Sequence, residues 1–89
     1  MHVTVKYLLW MRDKAGTNRE EYVFSQEEIT IEQLLQEIIR RHKNLEKHLA
    51  NPFTSENPVI VTINGRPAKP GARIREGDQV TIMPPVSGG

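Results

Sequence analysis

Hydrophobic and polar residues alternate from the start of the chain. Val3, Val5, Tyr7 and Leu9 fall on one side of an extended backbone, and Thr4, Lys6, Leu8 and Trp10 fall on the other. A period of two, rich in β-branched and aromatic residues, predicts a strand over residues 3–11. Its second side begins polar and turns apolar at Leu8 and Trp10. Residues 12–18 contain Gly16 among polar side chains and predict a loop with a turn. Glu20 to Phe24 predicts a second strand pairing back on the first, with Tyr22 and Phe24 on one face.

The period then changes. Ile31, Leu34, Leu35, Ile38 and Ile39 recur at helical spacing, while Glu32, Gln36, Glu37, Arg40 and Arg41 take the opposite side. Thr30 and Gln33 have capping-box spacing, and Ile29 and Leu34 are placed for a hydrophobic staple. Acidic residues come early and basic ones late, as the helix dipole favours. Glu37 and Arg41 are spaced for an ion pair. A helix is predicted from about Ile31 to about His42, followed by a helical turn over Leu45 to Ala50. Asn51 to Pro58 predicts a loop, with Phe53 dipping to the surface of the core.

Val59 to Ile63 is a continuous apolar and β-branched run, which predicts a well-buried strand. Asn64-Gly65 suits a two-residue hairpin turn. Arg66 to Ala68 would return as a short strand, and Pro67 places it at an edge. Turns follow at Pro70-Gly71 and Glu76-Gly77-Asp78. The last strand is Gln79 to Met83, with Val80 and Ile82 on one side and Thr81 and Met83 on the other. One helical stripe must bury itself against one sheet face, which gives an α+β class with a mixed sheet on one main helix. By analogy this order suggests the ubiquitin-like β-grasp, in which first and last strands lie parallel in mid-sheet. Residues 1–83 would form the domain and 84–89 a flexible tail.

Pro84 and Pro85 lack N–H donors and fix φ, so no strand continues through them. Val86-Ser87-Gly88-Gly89 then reaches about 13 Å when extended, enough to enter an active-site channel. The two glycines let another backbone approach from either side. A carboxylate on Gly89 is a poor electrophile until an adenylating enzyme turns one oxygen into a leaving group. Sulfur or an amine can then attack the carbonyl.

The chain has 89 residues, which favours one domain, and a net charge of +1, which gives no case for nucleic acid or an acidic membrane. It has no cysteine, hence no disulfide, thiolate metal site or thiol nucleophile. No apolar run approaches the roughly 18 residues of a membrane span, and no signal peptide is read. A cytoplasmic location is expected. His2, His42 and His48 share no ligand spacing, so no metal site is expected. Glu20-Glu21 and Glu27-Glu28 are neighbours, and adjacent strand residues point to opposite faces.

Trp10-Met11-Arg12, Ala15-Gly16, the Thr30-capped helix, Val61 to Gly65, Glu76 to Val80 and the closing Met83-Pro84-Pro85-Val86-Ser87-Gly88-Gly89 together resemble one family. It is the MoaD/ThiS sulfur-carrier superfamily, and the resemblance is to its MoaD type, the small subunit of molybdopterin synthase. The resemblance implies a sulfur carrier with no catalytic side chains of its own. A MoeB-like, ubiquitin-activating-type enzyme would adenylate Gly89 with ATP and magnesium, and a sulfur donor would convert it to a thiocarboxylate. A MoaE-like large subunit would receive the tail, and the sulfur would pass to a pterin precursor of the molybdenum or tungsten cofactor. No cofactor would be bound by this chain. Partner contacts would come from Gly88, Ser87, Val86, Pro85, Pro84, Met83, Leu8, Pro67, Trp10 and Arg12.

If first and last strands are parallel neighbours, Leu8, Trp10 and Met83 come together on the face away from the helix, where the tail leaves. An apolar patch of that kind calls for a partner. Arg12, Arg73 and Arg75 would add rim contacts. Two alternatives keep Gly89 as the reacting end: a ubiquitin-like modifier joined to lysines, which archaeal small modifiers resemble, and a carrier for thiamine synthesis or tRNA thiolation. A third is a β-grasp interaction module with an inert tail.

Overall fold

The computed structural model describes residues 1–54 and 59–85. Val3, Val5 and Tyr7 are fully buried, and the residues between them are not, so β1 (His2–Tyr7) presents one face to the core. β2 (Arg19–Val23) pairs with it antiparallel, and β7 (Gln79–Met83) pairs with it parallel. β4 (Ile60–Ile63) runs antiparallel to β7, and β5 (Arg66–Pro67) closes the far edge. The sheet order is β2-β1-β7-β4-β5, so the first and last strands are central parallel neighbours, as expected. The fold is α+β.

The main helix α2 (Ile31–Arg41) buries the predicted five-residue stripe. Gln33 N–H donates to the Thr30 hydroxyl, and Thr30 N–H donates to the Gln33 side chain at 2.8 Å, completing the capping box. A cap of this kind contributes about 1 kcal/mol. Ile29 and Leu34, the staple residues, are both buried. Glu37 pairs with Arg40 at 3.2 Å instead of Arg41. Arg41 turns away, placing its guanidinium 3.9 Å from the Tyr22 ring centroid and its Nη1 3.3 Å from the Glu21 carbonyl. The ring and the carbonyl together outcompete one exposed ion pair, which contributes only a few tenths of a kcal/mol (about 0.3–0.5).

The first strand is shorter than its alternation predicts. It stops at Tyr7, and α1 (Trp10–Ala15) follows where strand and then loop were expected. Met11 and Ala15, one helical turn apart, are both buried and drive this. Leu9, expected on the core side, is instead 59% exposed, with φ 56° and ψ −137°. That conformation costs a leucine roughly 1–3 kcal/mol and reverses the chain between β1 and α1.

Two further strands were not anticipated. β3 (Glu28–Thr30) and β6 (Arg73–Arg75) form a separate antiparallel pair with Ile29 opposite Ile74, both buried. Arg73 and Arg75, expected at a docking rim, both pair with Glu28, at 3.1 and 2.9 Å. After α2 come a 3-10 turn at Lys43–Leu45 and α3 (Glu46–Leu49), which bury Leu45 and Leu49. Phe53 is 38% exposed instead of dipping inward, and neighbouring Pro52 takes the buried position. Residues 55–58 of the expected loop lie outside the described residues. β4 is less buried than its composition suggests, because Ile60, Thr62 and Ile63 keep partial exposure. Asn64 and Gly65 turn it back with φ 52° and 83°, the positive values that a type I′ hairpin needs.

Candidate functional site

Directly paired residues share a sheet face, so the register fixes what each face carries. Val5↔Val80, Tyr7↔Ile82 and Val61↔Ile82 point to the core. The opposite face carries Lys6↔Thr81, Thr62↔Thr81, Thr62↔Pro67 and Ile60↔Met83. Leu8 lies one residue beyond the Tyr7–Ile82 pair, which brings it beside Met83, and its N–H donates to the Ile82 carbonyl at 3.0 Å. Leu8 is 39% exposed, Met83 and Ile60 are half-buried, and Pro67 is exposed two strands away. Leu8, Met83 and Ile60 make an apolar patch where β1 and β7 both end, and Pro67, opposite Thr62 on the edge strand, extends the same face.

Ile60 was missed in the sequence because Val59 to Ile63 reads as one continuous apolar run. Its position two residues from Thr62, on the same side of a strand, was the available signal. Trp10 does not join Leu8 and Met83. It sits on α1, with its ring 5.0 Å from His48 of α3 in an edge-on arrangement and the Lys14 ammonium 6.0 Å from its centroid. Arg12 is exposed on the same helix. β7 ends at Met83, Pro84 is buried and Pro85 is exposed. Val86, Ser87, Gly88 and Gly89 lie outside the described residues.

Under the end of β1 is a polar cluster that the sequence reading did not find. The Tyr7 hydroxyl donates to Glu20 Oε1 at 2.7 Å, and the Tyr22 hydroxyl reaches the same oxygen at 3.2 Å. His42 Nε2 is 2.8 Å from Glu20 Oε2, and Arg41 Nη1 is 3.7 Å from it. Glu20 turns inward because it shares a face with Tyr22, two residues on, while Glu21 turns outward and accepts from the Thr4 hydroxyl at 3.0 Å. That period-two relation was visible in the sequence; the distant His42 was not. The cluster ties β1, β2 and the end of α2 together, with Glu20 opposite Val5 in the β1–β2 register.

Burial alone would raise the Glu20 carboxyl. Hydrogen bonds from Tyr7 and His42, and the charge of His42, outweigh it and hold Glu20 below its ordinary 4.5. Desolvation pushes Tyr7 far up and Tyr22 up to about 12. A depressed carboxylate contributes stability that is present above its unfolded value and lost as pH falls through its folded one. The domain is therefore expected to lose stability as pH drops below about 4.5. Glu20→Gln should cost about 1.5–3 kcal/mol at neutral pH, the range for hydrogen bonds to a charged group. It should also flatten the acid limb. Urea unfolding of both proteins across that range checks this, and parallel acid limbs would count against it.

Among the described residues no three His, Cys, Asp or Glu side chains converge as metal ligands, and no helix is long and apolar enough to cross a membrane. An open groove of about 460 Å³ runs between β2 and α2, lined by Tyr22, Phe24, Ile29, Gln33, Glu37 and Arg41. It lies on the β2 side of the sheet; Ser25 in its lining bonds to Gln26 and Glu37 to Arg40, so among the described residues its serine hydroxyl is paired with no base.

The ThiS family profile matches residues 5–89. The molybdopterin synthase sulfur carrier subunit of Chlamydomonas reinhardtii is 33% identical over 89 residues, all of both chains. Among solved structures, a Pyrococcus furiosus protein provisionally named molybdopterin converting factor, subunit 1, superimposes with a TM-score of 0.83 at 28% identity, over 97% of this chain and 99% of that one. The small archaeal modifier protein SAMP1 of Haloferax volcanii gives 0.78 at 25% identity, over the whole of both chains.

Proposed function

The chain belongs to the ThiS family, and from that premise we propose that it is a sulfur carrier of the molybdopterin synthase small-subunit type. The observation that carries this is the delivery of β7 into Pro84-Pro85 at the edge of the Leu8–Met83–Ile60–Pro67 patch. The end-to-end likeness to the Chlamydomonas subunit supports it.

The working group is the carboxylate of Gly89. A carboxylate oxygen attacks the α-phosphorus of ATP on a separate adenylating enzyme, and pyrophosphate leaves. Sulfide supplied by the donor then attacks the carbonyl carbon as HS⁻, and AMP departs with that oxygen, which leaves a thiocarboxylate once the thioacid proton is lost. ATP and magnesium are handled by that enzyme. Val86, Ser87, Gly88 and Pro85 thread the tail into a large subunit, while Leu8, Met83, Pro67 and Ile60 hold the body against it. Trp10 and Arg12 flank the contact from α1. The sulfur then passes to a pterin precursor.

A second reading has its own support: the likeness to the archaeal modifier suggests that the same activated Gly89 is passed to lysines. ATP–pyrophosphate exchange by the adenylating enzyme of the same genome tests the shared first step. Exchange should depend on the addition of this chain, and its absence would contradict both readings. Covalent adducts on lysines in an extract, with no thiocarboxylate, would favour the second.

A further inference from the structure

The outer face of the sheet also carries a pair of opposed cations. Lys6 and Arg19 are register partners in the β1–β2 pair. Tyr7 N–H donates to the Asn18 carbonyl at 3.0 Å, so Tyr7 and Asn18 are a hydrogen-bonded pair. Lys6–Arg19, one step back, is therefore a non-hydrogen-bonded pair, the kind that brings side chains closest. Cβ atoms in directly opposed pairs stand about 4.5–5.5 Å apart, and like charges there destabilise the sheet.

Four other arginines are matched, Arg40 to Glu37, Arg41 to Glu20, and Arg73 and Arg75 to Glu28, whereas Arg12 and Arg66, like Arg19, form no ion pair among the described residues. Among the described residues neither Lys6 nor Arg19 forms an ion pair. Glu21, the nearest acid on that strand face, is engaged by the Thr4 hydroxyl. Lys6 lies on β1 two residues before Leu8, which directly follows that strand, and pairs with Thr81, two residues before Met83. The cations thus border the apolar patch.

We propose that Lys6 and Arg19 form the contact for a carboxylate cluster on the protein that covers Leu8 and Met83. This rests on the outer face being the docking surface. A partner carboxylate set between the two cations replaces repulsion with attraction, and it does so only in the complex. An acidic protein surface fits better than a polyanion, because the neighbouring surface is apolar and the chain carries a net charge of only +1. Opposed charge at the border of an apolar contact chiefly raises the association rate and makes it sensitive to salt.

The test uses the full chain, its Lys6→Gln, Arg19→Gln and doubly substituted variants, and the molybdopterin synthase large subunit of the same genome. The double variant should unfold at a higher temperature than the native chain. It should also associate about tenfold more slowly at low ionic strength, with the gap closing near about 1 M salt, where charges are screened within about 3 Å. Association rates equal to those of the native chain at every salt concentration would overturn the proposal, whatever the change in stability. Leu8→Glu, measured alongside, separates the two levels. If it weakens binding while the cation variants do not, the cationic contact alone fails. If it binds like the native chain, the docking surface itself is wrong.

Discussion

A chain lacking Gly89 is expected to accept no sulfur at all while unfolding at the same denaturant concentration as the full-length protein. The separation follows from where the core lies. Its buried hydrophobic residues run from Val3 to Ile82, the last strand ends at Met83, and Pro84 is buried just beyond it. Every one of these positions precedes the final residue, so its loss is expected to leave this core in place. It does replace the reacting carboxylate with one a residue short. A shift of one residue is about 3.3 Å, far outside the tolerance within which an adenylate forms. Shortened and full chains should therefore differ completely in loading and hardly at all in urea midpoint. A shortened chain that still loaded would move the chemistry elsewhere in the molecule.

The second large effect is at Leu8. Leu8→Glu is expected to weaken binding to the large subunit by about 2–4 kcal/mol, a factor of roughly 30 to several hundred, as for a residue at the centre of an interface. The side chain is 39% exposed in the free chain and beside Met83, so the carboxylate is hydrated until the partner arrives and is then stripped of water. Free-chain stability should change by less than about 0.5 kcal/mol, as for other surface substitutions. Titration calorimetry with the large subunit measures the first quantity, and urea unfolding the second. Equal affinities would remove the patch from the interface.

The parts of this fold visible in the sequence are those set by local rules acting over many residues. The α2 stripe, its Thr30–Gln33 cap and the Asn64-Gly65 turn each need only neighbours along the chain. The central β1–β7 pair was reached by analogy with a known topology. Failures occurred where two local rules competed or where a segment was too short to show a period. Leu9 and Trp10 continue the alternation of β1, but Met11 and Ala15 bury together only as a helix, and tertiary packing decided between them. β3 and β6 hold one core residue each, so neither shows a period.

The candidate site was half legible for the same reasons. Leu8 and Met83 could be joined once the parallel pair was assumed, whereas Pro67 came from the family resemblance, the hairpin placing it only on an edge strand. Ile60 was hidden inside an apolar run. Glu20 gathers partners from β1, β2 and the end of α2, and His42 is twenty-two residues away. No pattern of spacing along the chain announces such a cluster, because it exists only when the helix end is laid over the sheet edge.

Weighing the intact protein tests the sulfur-carrier function most directly. After incubation with ATP, the adenylating enzyme of its own genome and a sulfur donor, the full chain should gain the mass of one sulfur replacing one oxygen, and fragmentation should place that exchange at Gly89. A mass unchanged under every combination of enzyme and donor, with the fold intact, would contradict the function proposed for this chain.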